Sequence, residues 1–246
     1  MRAEDLSVGT LRYIADNETN VDALLELCTY DMVLKDDSVL ETLAGRGDLG
    51  DRFSEIGHKL VLLTQSHDDP IYGGPLCEGR LVRTLAENDY LTDEGVFGSI
   101  YMWADENADD DTMCALAKNS ELPTYIALRM IDTEDESVQE ELAINTLDPE
   151  VLDYLIDNTP YFEVGVLAVT NRKCSVAGMK NYKADFEETI AEIREEYPSL
   201  VKWFVEQAEK EIHAMEFIGR PDDDKRIPLL RSMIEIAKKV MEEGEE

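Results

Sequence analysis

Residues 142–171 read LAINTLDPEVLDYLIDNTPYFEVGVLAVTN, and the architecture that the sequence predicts is clearest here. The segment SVQEELA (137–143), which leads into this stretch, places Val138, Leu142 and Ala143 on one face at helical spacing. We expect Asn145 to end that helix, because asparagine tolerates the left-handed cap conformation. A helix of fewer than about 12 residues is marginal in water, so this one must pack on its neighbours.

A second short helix follows after a polar link. Asp148 can accept hydrogen bonds from free backbone amides as an N-cap, and Pro149 is favoured at the first helical position. The apolar face is supplied by Val151, Leu152, Leu155 and Ile156. Residues 157–160 end the helix. The preceding segment, 122–128, repeats the pattern, so the sequence predicts pairs of short helices that stack on one another.

One short phrase recurs along the chain: an apolar residue, then Ala, a variable residue and Asn. The copies lie at 14–17, 85–88, 116–119 and 142–145, with a looser copy at 167–171 and a degenerate one at 43–46. Self-similarity of this kind is typical of repeat architectures. The spacing is regular only in the later copies, and the units between residues 31 and 81 do not fit it cleanly.

With their LAxN phrase, short polar link and PEVL, residues 142–171 resemble the leucine-rich variant repeats, a sub-type of the HEAT-like helical solenoids. The resemblance is best over residues 112–180. It implies an all-α solenoid whose stacked helices serve as an interaction surface rather than as a catalytic centre. Some members carry an N-terminal cysteine cluster; this sequence does not, so the resemblance implies no metal centre.

The C-terminal quarter has a different pattern. Residues 185–217 form a long amphipathic helical pattern broken at Pro198, a turn is expected at 219–224, and a last helix at 227–241. The predicted buried face comprises Phe186, Ile190, Ile193, Tyr197, Leu200, Trp203, Phe204, Ile212 and Met215. We therefore predict two parts: a repeat solenoid over 1–180, and a helical cap over 181–246 whose last residues, 242–246, form an acidic tail.

The charge of the chain excludes two classes of ligand. With 55 Asp and Glu against 23 Lys and Arg, the net charge is −32, and residues 1–180 hold 37 of these acids and 13 of these bases. Direct binding to nucleic acid or to an anionic membrane needs a basic surface that is missing here. The repeat region thus carries most of the negative charge.

The termini and cysteines indicate a cytoplasmic protein. The first ten residues lack the apolar core of a signal peptide, and no apolar run approaches about 20 residues. The four cysteines, at 28, 77, 114 and 174, form no CxxC pair. We interpret them as free thiols in apolar surroundings within a reducing compartment.

Three motifs suggest other chemistry. GRGDLG (45–50) satisfies the GxGxxG pattern of a dinucleotide fold, but the residues before it read as helix, so an inter-helix loop is favoured. Residues 105–111 imitate the first half of a calcium loop, but they lack the required Gly and the closing Glu; we interpret them as an acidic loop that caps the helix from Thr112. His67, Asp68 and Asp69 lie beside turn residues, and no second ligand cluster accompanies them.

The aromatic residues are assigned to the core, because most of them fall on apolar faces. This assignment covers Tyr101, Trp103, Tyr125, Tyr154, Tyr161, Phe162 and Trp203.

Together these patterns predict an all-α, right-handed superhelix that is non-enzymatic, needs no cofactor or metal, and presents an acidic surface to a basic protein partner. The predicted partner-binding residues are Asp109, Asp110, Asp111, Glu134, Asp135 and Glu136. Two alternatives stay open: an inhibitor, of the kind a virus encodes, that mimics nucleic acid, and a structural subunit that assembles with copies of itself. Binding through charge weakens with salt, whereas an apolar assembly does not.

Overall fold

The computed structural model describes residues 6–29, 33, 37–49, 52–65, 78–218 and 225–242, which contain fourteen α-helices and no strand. The all-α prediction is therefore confirmed over these ranges. The helices are α1 (Val8–Asn17), α2 (Val21–Leu27), α3 (Asp37–Ala44), α4 (Phe53–Gln65), α5 (Glu78–Ala86), α6 (Glu94–Asn107), α7 (Asp110–Lys118), α8 (Thr124–Ile131), α9 (Glu136–Asn145), α10 (Pro149–Asn158), α11 (Phe162–Thr170), α12 (Val176–Glu196), α13 (Pro198–Ile218) and α14 (Arg226–Glu242).

Many of these helices begin at a side chain that accepts from free backbone amides. Asp148 accepts from the amide of Glu150, and Pro149 is the first residue of α10, as the sequence predicts. Such a cap contributes about 1 kcal/mol, which matters for helices of seven to ten residues. The other capping residues are Ser7, Asn20, Asp93, Asp109, Asp135 and Ser175.

The chain divides into two compact units, Met1–Ile126 and Ala127–Glu246, and the division lies within α8. In the first unit each helix from α1 to α5 packs against the helix two positions later, so α1, α3, α5 and α7 form one row, and α2, α4 and α6 another. Consecutive helices join the rows. The core of this unit includes Leu11, Leu24, Leu43, Ile56, Leu60, Leu85, Phe97 and Ile100.

The second unit has the same pattern of contacts. Helices α9, α11 and α13 form one row, α10, α12 and α14 the other. The rings of Phe186 in α12 and Phe204 in α13 lie 4.8 Å apart between centroids. Both are almost fully buried, together with Leu142, Leu152, Leu155, Val169, Leu230 and Met233.

Buried asparagines of the recurring phrase join the ends of α3, α5 and α7, which pack in one row of the first unit. The Asn88 amide donates to the carbonyls of Ala44 (2.7 Å) and Arg46 (3.0 Å), and the Asn119 amide donates to the carbonyl of Asn88 (3.1 Å). These side-chain amides bind carbonyls that follow the ends of earlier helices. Without the asparagines, those carbonyls would be buried without a hydrogen bond.

The degenerate copy of the phrase has the same function with a different side chain. Arg46, which is 5 % exposed, donates to the carbonyls of Ala15 and Glu18 and pairs with Asp48. In the second unit, Asn171 donates to the carbonyl of Ala143 (2.8 Å).

Two copies of the phrase behave differently, and one prediction is wrong. The amides of Asn17 and Asn145 donate within their own helices, to the carbonyls of Tyr13 and Glu141. The predicted left-handed cap at Asn145 does not form, because Asn145 is the last helical residue and Thr146 continues in extended backbone with φ −63° and ψ 140°.

The glycine-rich segment that begins at Gly45 follows the helix α3, not a strand, so the inter-helix interpretation holds for residues 45–49. Gly50 lies outside the described residues. A Cβ atom on Gly47 would come within 2.3 Å of the Tyr90 ring. Glycine is therefore required here by the close approach of an aromatic side chain.

The C-terminal helices differ in part from their prediction. The break at Pro198 and the last helix are confirmed, but α12 begins at Val176, so residue 181 lies inside it. Tyr197 was predicted to be buried and is 55 % exposed. Helical conformation is disfavoured for the residue before a proline. Tyr197 is therefore the non-helical C-cap of α12, and its side chain does not continue the buried face of the helix. The turn predicted at 219–224 and residues 243–246 of the tail lie outside the described residues.

Candidate functional site

A groove with a volume of about 480 Å³ lies in the second unit, between α12 and the turn that joins α10 to α11. One wall comprises Asn181, Tyr182, Asp185, Phe186, Thr189, Glu192 and Ile193, and the other comprises Ile156, Asp157, Thr159, Pro160, Tyr161, Phe162 and Gly165. The groove therefore combines carboxylates, aromatic rings and small polar groups.

The α12 wall follows from helical spacing. Asn181, Asp185, Thr189 and Glu192 recur at intervals of three or four residues and form a polar line, with the apolar residues of the groove beside it. Twelve residues at 1.5 Å each give this wall a length of about 18 Å.

The opposite wall is held by a chain of hydrogen bonds. The amide of buried Gln139 donates to the carbonyl of Ile131 (2.8 Å), and its oxygen accepts from the Thr159 hydroxyl (2.7 Å). That hydroxyl in turn accepts from the backbone amide of Tyr161 (3.2 Å). Because each polar group in this chain has a partner, the turn over residues 159–161 is fixed before any ligand arrives.

The ring of Tyr161 is also fixed at its far end. Its hydroxyl donates to the carbonyl of Glu134 (2.7 Å), a residue with the left-handed φ of 59°. The ring cannot rotate away without breaking this bond.

Tyr182 packs tightly on α11. A Cβ atom on Gly165 would lie 2.9 Å from the Tyr182 ring, so the missing side chain of Gly165 makes room for it. The Tyr182 hydroxyl is buried and has no hydrogen-bond partner in the part of the chain that the structure describes. Burial, with a smaller contribution from the charge of Glu163, raises the pKa of this hydroxyl well above its ordinary value.

Three carboxylates of the groove have no cationic partner. The side chains of Asp157, Asp185 and Glu192 are exposed, and no Lys or Arg in the described part of the chain forms an ion pair with them. Half-buried rings of Tyr161, Phe162 and Tyr182 lie in the same groove. Such a set can hold a cation against carboxylates and ring faces at once.

A cluster of acidic side chains lies near the groove. Burial first, and then the charges of Glu136, Glu163 and Glu141, raise the pKa of Glu140 above its ordinary value. Because Glu163 also acts on Tyr182, this cluster adjoins the groove. Like charges therefore act on one another in this part of the second unit.

The first predicted acidic triplet serves the structure of the first unit. Asp109 is the N-cap of α7, accepting from the amide (3.3 Å) and the hydroxyl (2.9 Å) of Thr112. Arg83 lies 2.7 Å from a carboxylate oxygen of Asp111 and 3.5 Å from one of Asp109. Asp110 is exposed in the first turn.

The second predicted triplet is closer to the groove. Asp135 caps α9 by accepting from the amide of Val138 (2.9 Å). The Glu134 carbonyl holds Tyr161, and Glu136 belongs to the acidic cluster that acts on Glu140. The structure thus brings Glu134 beside the groove residue Tyr161, places Glu136 near Glu140, and uses Asp135 to start a helix.

The calcium-like segment spans a junction between two helices, and only Ala108 and Asp109 lie outside them, so the acidic loop predicted over 105–111 is reduced to a two-residue turn. Helix α6 ends at Asn107, Ala108 adopts φ 49°, and Asp109 begins the next helix. Over the described ranges, no cluster of three or more His, Cys, Asp or Glu has an arrangement that could hold a metal ion. His67, Asp68 and Asp69 fall outside those ranges.

Cys28, Cys114 and Cys174 form no disulfide, as predicted, and the first and last are buried. Burial raises the pKa of the Cys28 thiol to about 11 and that of the Cys174 thiol to about 12. Thiols with such high pKa values are poor nucleophiles. Cys77 lies outside the described residues.

The aromatic assignment to the core is wrong for residues that matter here. None of the seven side chains is fully buried; Tyr125 is 49 % exposed, and Tyr161 and Phe162 line the groove. Sequence reasoning missed Asp157, Asp185 and Glu192 altogether. The spacing of the polar residues along α12 could have predicted that they share a face. The sequence could not predict which other helices form the wall opposite that face.

Comparisons with known proteins give no assignment: no family model matches the chain, and neither a curated protein nor a solved structure matches it. Among the helices that the structure describes, none is long and apolar enough to cross a membrane.

Proposed function

We propose that the protein is a non-enzymatic interaction scaffold that presents an acidic surface to a basic protein partner in the cytoplasm. The observation that carries this proposal is the groove of the second unit, where Asp157, Asp185 and Glu192 face solvent beside aromatic rings and form no ion pair with a described Lys or Arg. Exposed carboxylates and half-buried rings that line one groove suit a cationic ligand, because both attract positive charge.

The architecture we propose is an α-solenoid similar to the leucine-rich variant and HEAT-like repeats over residues 1–180, with the C-terminal helices over 181–246 as a cap. Two observations support it. Within each unit alternate helices pack in two rows. The recurring phrase also supplies side chains that join helix ends of one row, as with Asn88 and Asn119. Solenoids of this kind offer extended surfaces to partners.

Binding would proceed in two steps. The net charge of −32 steers a basic partner toward the protein and raises the rate of encounter. Contact in the groove then removes water from a few aromatic and aliphatic side chains, which supply most of the affinity. Salt screens the first step over about 10 Å at 0.1 M.

The test compares the wild type with two charge-matched variants. One neutralises the groove (Asp157→Asn, Asp185→Asn, Glu192→Gln). The control neutralises three exposed acids of the first unit (Glu87→Gln, Asp89→Asn, Glu106→Gln). Each tagged protein is incubated with nuclease-treated lysate of the source cell, eluted in salt steps, and the bound proteins are identified by mass spectrometry.

We expect the wild type and the control to retain the same basic protein, eluted at moderate salt, and the groove variant to lose it. Equal retention by all three would place the binding surface outside the groove. Recovery of a nucleic-acid-handling enzyme that DNA displaces would instead favour the nucleic-acid mimic, and recovery of a salt-resistant complex of the chain with itself would favour the structural subunit.

A further inference from the structure

We infer that the groove between α12 and the α10–α11 turn is a binding site for arginine side chains on an exposed segment of the partner. This inference rests on the proposed function and names the chemistry that the partner presents. It commits to a guanidinium group rather than to basic residues in general.

The charges of the groove call for a cation that can reach both walls. Asp185 and Glu192 are seven residues apart on α12, which places them on one face about 10 Å apart along the helix axis. Asp157 lies on the opposite wall. A long cationic side chain that enters between the walls lies between carboxylates of both. Because Asp185 and Glu192 are separate positions along α12, the groove can bind two cationic residues of one segment.

The rings favour arginine over lysine. Tyr161, Phe162 and Tyr182 line the groove and are half-buried, so an incoming cation must shed part of its water. A guanidinium is more weakly hydrated than an ammonium, stacks flat on an aromatic face and donates two parallel hydrogen bonds to a carboxylate. An ammonium forms stronger hydrogen bonds with water, so its desolvation on entering the groove costs more free energy.

The wall that carries the rings is rigid before binding. The hydrogen-bond chain through Gln139 and Thr159 fixes the turn, and the Glu134 carbonyl fixes the hydroxyl of Tyr161. A preformed wall loses little conformational entropy when the ligand arrives. It also suits a planar group better than a compact, rotating one.

The experiment measures affinity by fluorescence anisotropy for two labelled peptides that differ at two positions. Both have Gly and Ser flanks and blocked termini; one contains Arg-Ala-Arg and the other Lys-Ala-Lys. The full chain is used in four forms: wild type, the groove variant with three neutralised acids, Phe162→Leu, and Tyr125→Leu as a control exposed ring outside the groove. Thermal unfolding checks that each variant is folded.

We expect the arginine peptide to bind about 2- to 5-fold more tightly than the lysine peptide, as one ring contact would give. Phe162→Leu should reduce the difference between the two affinities, because one of the three rings is lost. Tyr125→Leu should leave the ratio unchanged, and the affinity of the groove variant should fall at least 10-fold for both peptides.

Two results would overturn the inference. Equal affinities for both peptides, lost together in the groove variant, would show a general cation site and leave the proposed function standing. Binding that is unchanged in the groove variant, or no binding of either peptide, would also contradict the inference; the lysate experiment then decides separately whether the scaffold function fails with it.

Discussion

Two regions of the molecule, the α6–α7 turn of the first unit and the groove of the second unit, differ in how their carboxylates are partnered. In the first unit, Asn88 and Asn119 join helix ends of one row, and Asp109 caps a helix beside Arg83. In the groove of the second unit, Asp185 and the other two carboxylates have no cationic partner within the described ranges, and the Tyr182 hydroxyl has no hydrogen bond. The difference teaches that the number of acids does not locate a binding surface. A carboxylate that already caps a helix or pairs with arginine has fewer oxygen lone pairs available to bind a partner.

The largest effect should come from removing a partnered polar group of the first unit. Asn88→Ala leaves the carbonyls of Ala44 and Arg46 without a donor and the amide of Tyr90 without an acceptor. We expect a loss of about 2 to 3 kcal/mol in unfolding free energy, since each buried unsatisfied group costs about 1 kcal/mol or more.

The control for this change is Asn17→Ala. Asn17 belongs to the same recurring phrase but donates within its own exposed helix end, so its loss should cost well under 1 kcal/mol. Chemical denaturation measures both variants. Similar losses in the two would remove the distinction between joining and local asparagines.

A glycine pair gives effects of opposite sign. Gly165→Ala forces the Tyr182 ring to move, because the new Cβ would lie 2.9 Å from it, and overpacking of this kind costs about 1 to 3 kcal/mol. Gly98→Ala in α6 brings its Cβ only to 3.4 Å of the Tyr125 hydroxyl and should stabilise the helix by about 0.5 to 1 kcal/mol. Thermal unfolding of both variants checks the signs. A higher unfolding temperature for Gly165→Ala would contradict the close packing of Tyr182 against Gly165.

The acids themselves give the direct contrast between the regions. Asp109→Ala removes an N-cap and should destabilise the protein by about 1 kcal/mol. Asp185→Ala removes an exposed, unpaired carboxylate and should leave the unfolding free energy unchanged or slightly raise it, because it relieves repulsion. Urea titration at low salt measures both, and an equal loss at Asp185 would indicate a structural partner there.

The smallest effect is a gain that depends on pH. The pKa of Glu140 is raised in the folded state, so its ionisation disfavours folding as pH rises through that pKa. Glu140→Gln should therefore stabilise the protein at pH 7, because it removes a partly buried charge; relief of the i,i+4 repulsion from Glu136 alone contributes about 0.2 to 0.5 kcal/mol. The gain should vanish below pH 4, where the carboxyl is protonated in both states. A gain that persists at low pH would point to a cause other than charge.

Local signals in the sequence predicted the helices and several of their ends. Asp148 and Pro149 start α10 because a cap and a fixed φ act over three residues, and Pro198 separates α12 from α13 for the same local reason. What the recurring phrase does could not be predicted, because Asn17 and Asn88 occupy the same place in it. Only the packing of an earlier helix end decides whether the amide finds a carbonyl there.

The groove could not be predicted for the same reason. Tyr161 and Phe162 follow a helix end and look like core residues, and their exposure depends on where α12 passes. The acids predicted to bind a partner form two runs of three consecutive acidic residues. Such runs also occur at helix starts, as the N-caps Asp109 and Asp135 show.

The most direct test of the account is a ¹H–¹⁵N NMR titration of the full chain with the arginine peptide at low and at moderate salt. We predict shift changes concentrated at residues 156–165 and 181–193, weaker at higher salt, and absent from the α6–α7 turn around Asp109. Shifts concentrated at that turn, or spread evenly over the acidic surface, would contradict the claim that the unpartnered groove is where this protein binds.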